Sequence, residues 1–140
     1  RSYTFIKVED TRASMANVAD NFYNNPSKEL GVIGVTGTNG KTSITTFLSE
    51  ILSSNNKKVG LVGTIKIFDG DKEVESSSTT PESIDLQKHF RTMIDNGCDY
   101  CAMEVSSHSL VLNRVDETEF KLGIFTNLTP EHLDFHKDLE

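Results

Sequence analysis

Apolar positions along this chain fall into two alternating patterns. Four short, nearly unbroken apolar runs, GVIGVT (31–36), KVGLVGTI (58–65), DYCAMEV (99–105) and KLGIFT (121–126), have the length and composition of strands buried on both faces. Longer segments with helical spacing lie between them. In KTSITTFLSEILSSN (41–55), Ile44, Phe47, Leu48, Ile51 and Leu52 make one stripe. In PESIDLQKHFRTMIDNG (81–97), Leu86, Phe90 and Met93 share a face and Gly97 marks the stop. DTRASMANVADNFY (10–23) repeats at Met15, Ala19 and Phe22, and SHSLVLNRV (107–115) and PEHLDFH (130–136) predict two shorter helices. NNPSKEL (24–30) has the composition of a domain boundary, and DGDKE (69–73) that of a turn between strands. Strands alternating with helices predict an α/β fold, a mostly parallel sheet with helices on both faces. No internal repeat or low-complexity segment interrupts the alternation.

Composition narrows the function classes. The 140 residues suffice for one domain with a real core, and 36% hydrophobic with 25% charged residues is the balance of a soluble globular protein. No apolar run reaches the roughly 18–20 residues of a membrane helix, so no membrane insertion is expected. The net charge is −7, with 14 Lys and Arg against 21 Asp and Glu and no basic cluster, which argues against a nucleic-acid partner. Cys98 and Cys101 form a C-x-x-C. A zinc site would need a second pair, and a redox motif would open a helix rather than sit in an apolar strand. Ordinary half-buried cysteines of a reducing, cytoplasmic protein are expected instead. The chain starts at Arg1 and ends within a polar segment at Glu140, the expected look of part of a longer protein.

One stretch carries chemistry by itself. GVTGTNGKTS (34–43) joins an apolar strand to a helix through glycines, with Lys41 and Thr42 opening the helix. Glycines let backbone N–H groups converge on an anion, and a helix N-terminus adds positive potential. Lys41 can reach β- and γ-phosphates, and the Thr42 hydroxyl can hold Mg²⁺. The usual phosphate loop has glycine where Val35 stands, so the loop reads T-G-T-N-G-K-T. The same residues would also serve a plain strand-to-helix turn with a solvated lysine.

TGTNGKT resembles the ATP loop of the Mur ligases and of their folylpolyglutamate synthase relatives. VEDTR (8–12), FYNNPSKEL (22–30), STTPESIDLQ (78–87), MEVSSHSLVLNRV (103–115) and FTNLTPEHLDFH (125–136) are all similar to the MurE-type Mur ligases, in order along the chain. The resemblance implies that residues 1–29 are the end of an N-terminal UDP-substrate domain and its linker. Residues 30–140 would be the first part of the central ATP-binding domain. It also implies a carbamylated lysine beyond Glu140 and a C-terminal domain that receives the amino acid.

The chemistry implied by the resemblance is ATP-dependent amide-bond formation in peptidoglycan precursor synthesis. A free diamino acid, meso-diaminopimelate or L-lysine, is joined to UDP-MurNAc-L-Ala-D-Glu through an acyl phosphate. A carboxylate cannot expel oxide, so phosphorylation supplies the leaving group, and positioning with charge stabilisation carries the catalysis. The implied ATP contacts are Gly37, Thr38, Asn39, Gly40, Lys41, Thr42 and Ser43. The implied catalytic residues are Lys41, Glu104 and His132, and the implied metal ligands are Thr42 and Glu104 on one Mg²⁺ and His132 toward a second. Thr79, Thr80, Ser106 and Arg114 match contacts to the muramoyl peptide. From the residues alone, Glu104 can also be read as an exposed strand-end carboxylate and Arg114 as a solvated helix-end arginine. Thr80 and Pro81 likewise read as the cap and first residue of a helix. His132 and His136 are four apart, but HLDFH lacks the adjacent glutamate of a zinc-binding helix, so His136 is expected to be structural. His108 is expected to pack or to support the site. Leu112 departs from the pattern, standing where some relatives carry a polar residue. A monomer is expected. A folate substrate is the competing ligase reading, and a nucleotide-binding module without activity the competing non-enzyme one. The 140 residues alone are expected to be inactive and to bind nucleotide weakly.

Overall fold

The computed structural model describes residues 3–129. Helix α1 (Thr11–Phe22) begins where the Asp10 carboxylate accepts from the amides of Arg12 and Ala13. A single 3₁₀ turn, Pro26–Lys28, leads into strand β1 (Gly31–Thr36). Then follow α2 (Lys41–Ser54), β2 (Val59–Val62), β3 (Lys66–Phe68), β4 (Glu73–Glu75) and α3 (Ser83–Asp95). β5 (Tyr100–Glu104), α4 (Ser107–Val111) and β6 (Phe120–Phe125) complete the described chain.

The six strands form one sheet in the order β4-β3-β2-β5-β1-β6. β2, β5, β1 and β6 run parallel, and β3 and β4 add an antiparallel margin. The predicted α/β architecture is therefore the observed one. After β1 the chain passes through α2 to β2, then returns through α3 to insert β5 between them. The C-terminal ends of the parallel strands thus converge, which is where open α/β sheets take ligands.

Strand alternation assigns the two faces. Val32, Val62, Cys101, Met103 and Val105 cluster with Leu86, Phe90 and Met93 of α3. The three α3 side chains are fully buried, each contributing about 1.5–3 kcal/mol of apolar burial. A Cβ on Gly60 would fall within 2.4 Å of Met93 Sδ, so that helix is seated directly on β2. α1 packs on the outside of α3. The opposite face carries α2, which runs over β5, β2 and β1.

Several expectations are corrected. The α2 stripe does not bury: Phe47 and Ile51 are exposed, and the one buried residue of the helix is Thr45, whose hydroxyl returns to the carbonyls of Lys41 and Thr42. Periodicity finds the apolar face but not whether anything covers it. In α1, Phe22 is exposed while Ala16 and Ala19 face α3, because small side chains admit the neighbouring helix. The run 58–65 is not one strand. It ends at Val62 and turns at Gly63, whose amide donates to Lys66 O (3.1 Å), into β3. β6 is mostly exposed rather than buried on both faces, since it is the outer strand of the described sheet. The helix predicted from 107 to 115 stops at Val111. Cys98 and Cys101 are both buried, rather than half-buried, and free.

Candidate functional site

The strand ends and the loops after them build one cavity. It has a volume of about 360 Å³ and is lined by Thr38, Asn39, Gly40, Lys41, Thr42, Ser43, Thr64, Thr79 and Glu104. β1 supplies the glycine-rich loop, β2 ends just before Thr64, and β5 ends on Glu104. Local chemistry shapes the loop. Gly40 adopts φ +91° at the N-cap of α2, a left-handed conformation suited to glycine, and no side chain caps the helix there. The first amides of α2 are therefore left for an anion. Gly37, at φ +127°, lies where a Cβ would be 2.2 Å from Thr126 Oγ1, so only glycine lets the loop approach the end of β6.

That approach holds the loop's shape. Thr38 N donates to Asn127 O (2.9 Å) and Asn39 N to Asn127 Oδ1 (3.0 Å). Asn39 O accepts from Thr126 Oγ1 (2.7 Å) and Asn127 Nδ2 (3.1 Å). Lys41 Nζ donates to Gly37 O (2.7 Å) and Thr38 O (3.0 Å). Its ammonium is held at the loop by neutral carbonyls, partners that a phosphate oxygen outcompetes.

Glu104 is the acidic centre. Only 1% of it is exposed, which removes the exposed strand-end reading. Its Oε1 accepts from Thr42 Oγ1 and from Thr64 N, each at 3.0 Å, and Oε2 lies 3.0 Å from Thr64 Oγ1. Among the described residues no ion pair involves it. A buried carboxylate without a cation is costly, so a bound cation would relieve it. The donors are a carboxylate and two hydroxyls beside a glycine-rich loop. These suit Mg²⁺, which prefers hard oxygen and completes its shell with phosphate oxygens and water. No cluster of three or more histidine, cysteine or acidic side chains able to hold a metal exists among the described residues.

The predicted substrate residues divide. Thr79 faces the cavity, its Oγ1 3.1 Å from Thr64 Oγ1. Thr80 is fully buried. Its Oγ1 donates to Glu104 O (2.9 Å) and accepts from Ser106 N (3.1 Å), so its side chain ties the strand end instead of lining the cavity. It is not a helix cap: α3 begins at Ser83 with Glu82 in the N-cap position. Ser106 Oγ accepts from Ser109 N (3.1 Å) and caps α4. Arg114 lies beyond α4 and is not a solvated helix end. It donates to Thr80 O (3.0 Å) and pairs with Glu82 Oε1 (2.8 Å), while Arg12 of α1 holds Glu82 Oε2 (2.9 Å). Arg114 and Glu82 line a separate cavity of about 330 Å³ that also includes Ser78, Asp85 and His89. His132 and His136 lie outside the described residues. Leu112 contributes its carbonyl to Arg12 (3.3 Å).

Several residues that shape this cavity escaped the sequence. Gly63, Thr64, Thr126 and Asn127 all follow strands, and for the three polar ones their place just after a strand was the available signal. Their partners depend on strand order. The C-x-x-C is buried: burial pushes the Cys98 thiol up and raises Cys101 far more, disfavouring either thiolate.

Residues 35–140 match the Mur ligase middle domain. The UDP-N-acetylmuramoyl-L-alanyl-D-glutamate–2,6-diaminopimelate ligase of Clostridioides difficile (strain 630) is 80% identical over 98% of this chain, which spans 28% of that relative. The ligase of the same name from Caldanaerobacter subterraneus subsp. tengcongensis is 56% identical over the same shares. A solved structure of a ligase of that name superposes with a TM-score of 0.75 at 24% identity, covering 97% of this chain and 29% of the other. Helicobacter pylori folylpolyglutamate synthetase superposes at 0.61 with 20% identity, over 91% and 40%. Both superpositions speak to the fold. The chain spans under a third of the length of the relatives it matches. No helix among the described residues is long and apolar enough to cross a membrane.

Proposed function

The chain belongs to the Mur ligase family, and on that premise we propose that it forms the phosphate-binding part of an ATP-dependent ligase of peptidoglycan precursor synthesis. The ligase joins meso-diaminopimelate to UDP-MurNAc-L-Ala-D-Glu through an acyl phosphate, in the cytoplasm. The names of its relatives favour diaminopimelate over L-lysine. Residues 1–29 are the end of the UDP-substrate domain and its linker, and residues 30–140 open the ATP-binding domain. One observation carries the reading: the uncapped N-terminus of α2, with Lys41, lies beside a buried carboxylate that Thr42 contacts at 3.0 Å.

The residues divide the work. Amides from Gly37 to Ser43 cradle the phosphates, with the loop shape kept by Asn127. Lys41 leaves its two carbonyls for the β- and γ-phosphates and draws off charge as the γ-phosphoryl moves to the substrate carboxylate. Thr42 and Glu104 would hold one Mg²⁺, and His132 would approach a second. Bound Mg²⁺ supplies neutralisation of the phosphoryl oxygens. Thr79 and Ser106 contact the muramoyl peptide, and Thr80 and Arg114 set the segment that presents Thr79.

Phosphate release by the full-length protein, given UDP-MurNAc-L-Ala-D-Glu, ATP, Mg²⁺ and either diamino acid, tests the proposal. Release that needs both substrates and is faster with meso-diaminopimelate is expected. No substrate-dependent release with any amino acid would sink it, and release driven by a folate substrate would move it to the folylpolyglutamate branch. The 140 residues alone should synthesise no tripeptide.

A further inference from the structure

We propose that Thr64 is a positioning residue that ties the metal-holding carboxylate of Glu104 to the substrate-facing hydroxyl of Thr79, and that Thr79 meets its ligand as a hydrogen-bond acceptor. The proposal rests on the reading of this cavity as the phosphate and metal site.

Thr64 reaches both oxygens of Glu104. Its amide donates to Oε1 and its hydroxyl lies on Oε2, each at 3.0 Å. Two contacts from one residue fix the plane of the carboxylate as well as its position. The residue is itself fixed, because Gly63 N to Lys66 O (3.1 Å) closes the turn between β2 and β3 at whose tip Thr64 stands. Room for this is left on purpose by the chain: a Cβ on Gly63 would lie 2.6 Å from Glu104 Oε1.

The direction of the protons follows from their number. A hydroxyl has one proton, and a carboxylate only accepts. Thr64 therefore gives its proton to Glu104 Oε2. The 3.1 Å contact between the hydroxyls of Thr64 and Thr79 must then use the Thr79 proton. Thr79 is left with lone pairs toward the cavity that both residues line. A ligand group at Thr79 is thus an N–H or O–H, such as a peptide amide, rather than a carboxylate oxygen. The Thr79–Thr80 segment is held to Glu104 twice, through Thr64 and through Thr80 Oγ1 on Glu104 O (2.9 Å). Metal and substrate positions are set by one connected unit.

The experiment uses the full-length protein. Thr64→Val keeps the amide and the shape and removes the hydroxyl, and Thr64→Ser restores it. Mn²⁺ binding, followed by electron paramagnetic resonance with a non-hydrolysable ATP analogue, should weaken about 10- to 100-fold in Thr64→Val and return in Thr64→Ser. KM for UDP-MurNAc-L-Ala-D-Glu should rise in Thr64→Val, and a Thr64→Val/Thr79→Val cycle should be non-additive in KM. Unchanged Mn²⁺ affinity in Thr64→Val, equal loss in Thr64→Ser, or an additive cycle would each overturn the proposal. If Thr64→Val does not fold, Thr64→Ala compared with Thr64→Ser gives the same Mn²⁺ readout. A wild-type protein without substrate-dependent phosphate release would count against the proposed reaction, and the Mn²⁺ comparison would still decide the role of Thr64.

Discussion

Gly63→Ala adds one methyl group at the point where β2 passes the buried carboxylate. The new Cβ would sit 2.6 Å from Glu104 Oε1, whereas Glu104 Cδ and Leu61 Cδ2 lie at ordinary distances of 3.5 and 3.6 Å. The clash is therefore with one group. An ordinary carbon–oxygen contact near 3.4 Å requires the carboxylate to retreat by about 0.8 Å. Oε1 accepts at 3.0 Å from both Thr42 Oγ1 and Thr64 N, and a retreat of that size displaces it from the position that serves both donors. Bonds to a charged group contribute about 1.5–3 kcal/mol each, water entering from the adjoining cavity offsets part of the loss, and overpacking costs about 1–3 kcal/mol. A net destabilisation of about 2–4 kcal/mol follows. With a urea dependence of about 2 kcal/mol per molar, the midpoint should fall by roughly 1–2 M. Urea unfolding followed by circular dichroism measures it. Glu104→Asp shortens the acid by one methylene and makes room for the alanine, so Gly63→Ala/Glu104→Asp should be less destabilised than the two single changes together. An unchanged midpoint in Gly63→Ala, or strict additivity in the double variant, would refute this account of the packing.

Lys41→Met removes a cation bonded to two carbonyls of its own loop; ligase turnover in the full-length protein should drop about 10²- to 10³-fold, while the unfolding free energy from urea titration stays within about 0.5 kcal/mol of wild type. Glu82→Ala releases Arg12 and the largely buried Arg114 together; because Glu82 is 38% exposed and solvent screens it, the expected cost is about 1–2 kcal/mol, and KM for the muramoyl peptide should rise more than kcat falls. His89 has its pKa held down by burial, with Asp85 and Asp69 opposing and Lys88 adding to the shift. The unfolded chain then binds the proton more readily, so this contribution is fully present above the ordinary histidine range near 6.5 and is lost as pH falls through it toward the lower folded pKa. Urea midpoints between pH 5 and 7.5 should decline toward acid in the wild type and decline less in His89→Gln, and parallel slopes would disprove the assignment.

The alternation of apolar runs and helical stripes determined the α/β class, and four parallel strands lie where it predicts, within a few residues. The glycine-rich strand-to-helix loop was equally legible, because strand, glycines, Lys41 and Thr42 are consecutive and their geometry is local. Resemblance to the MurE-type ligases drew attention to Glu104 and to the Thr79–Thr80 pair, but not to what they touch. Tertiary structure decided that Thr80 is internal, that Arg114 answers to Glu82, and that Thr64 clamps Glu104. It also left Phe47 and Ile51 of α2 uncovered among the described residues. The division has one physical cause. A loop's backbone conformation follows from its own residues, whereas Thr42, Thr64, Thr79 and Glu104 meet only because β5 inserts between β1 and β2, which no single segment of the chain encodes.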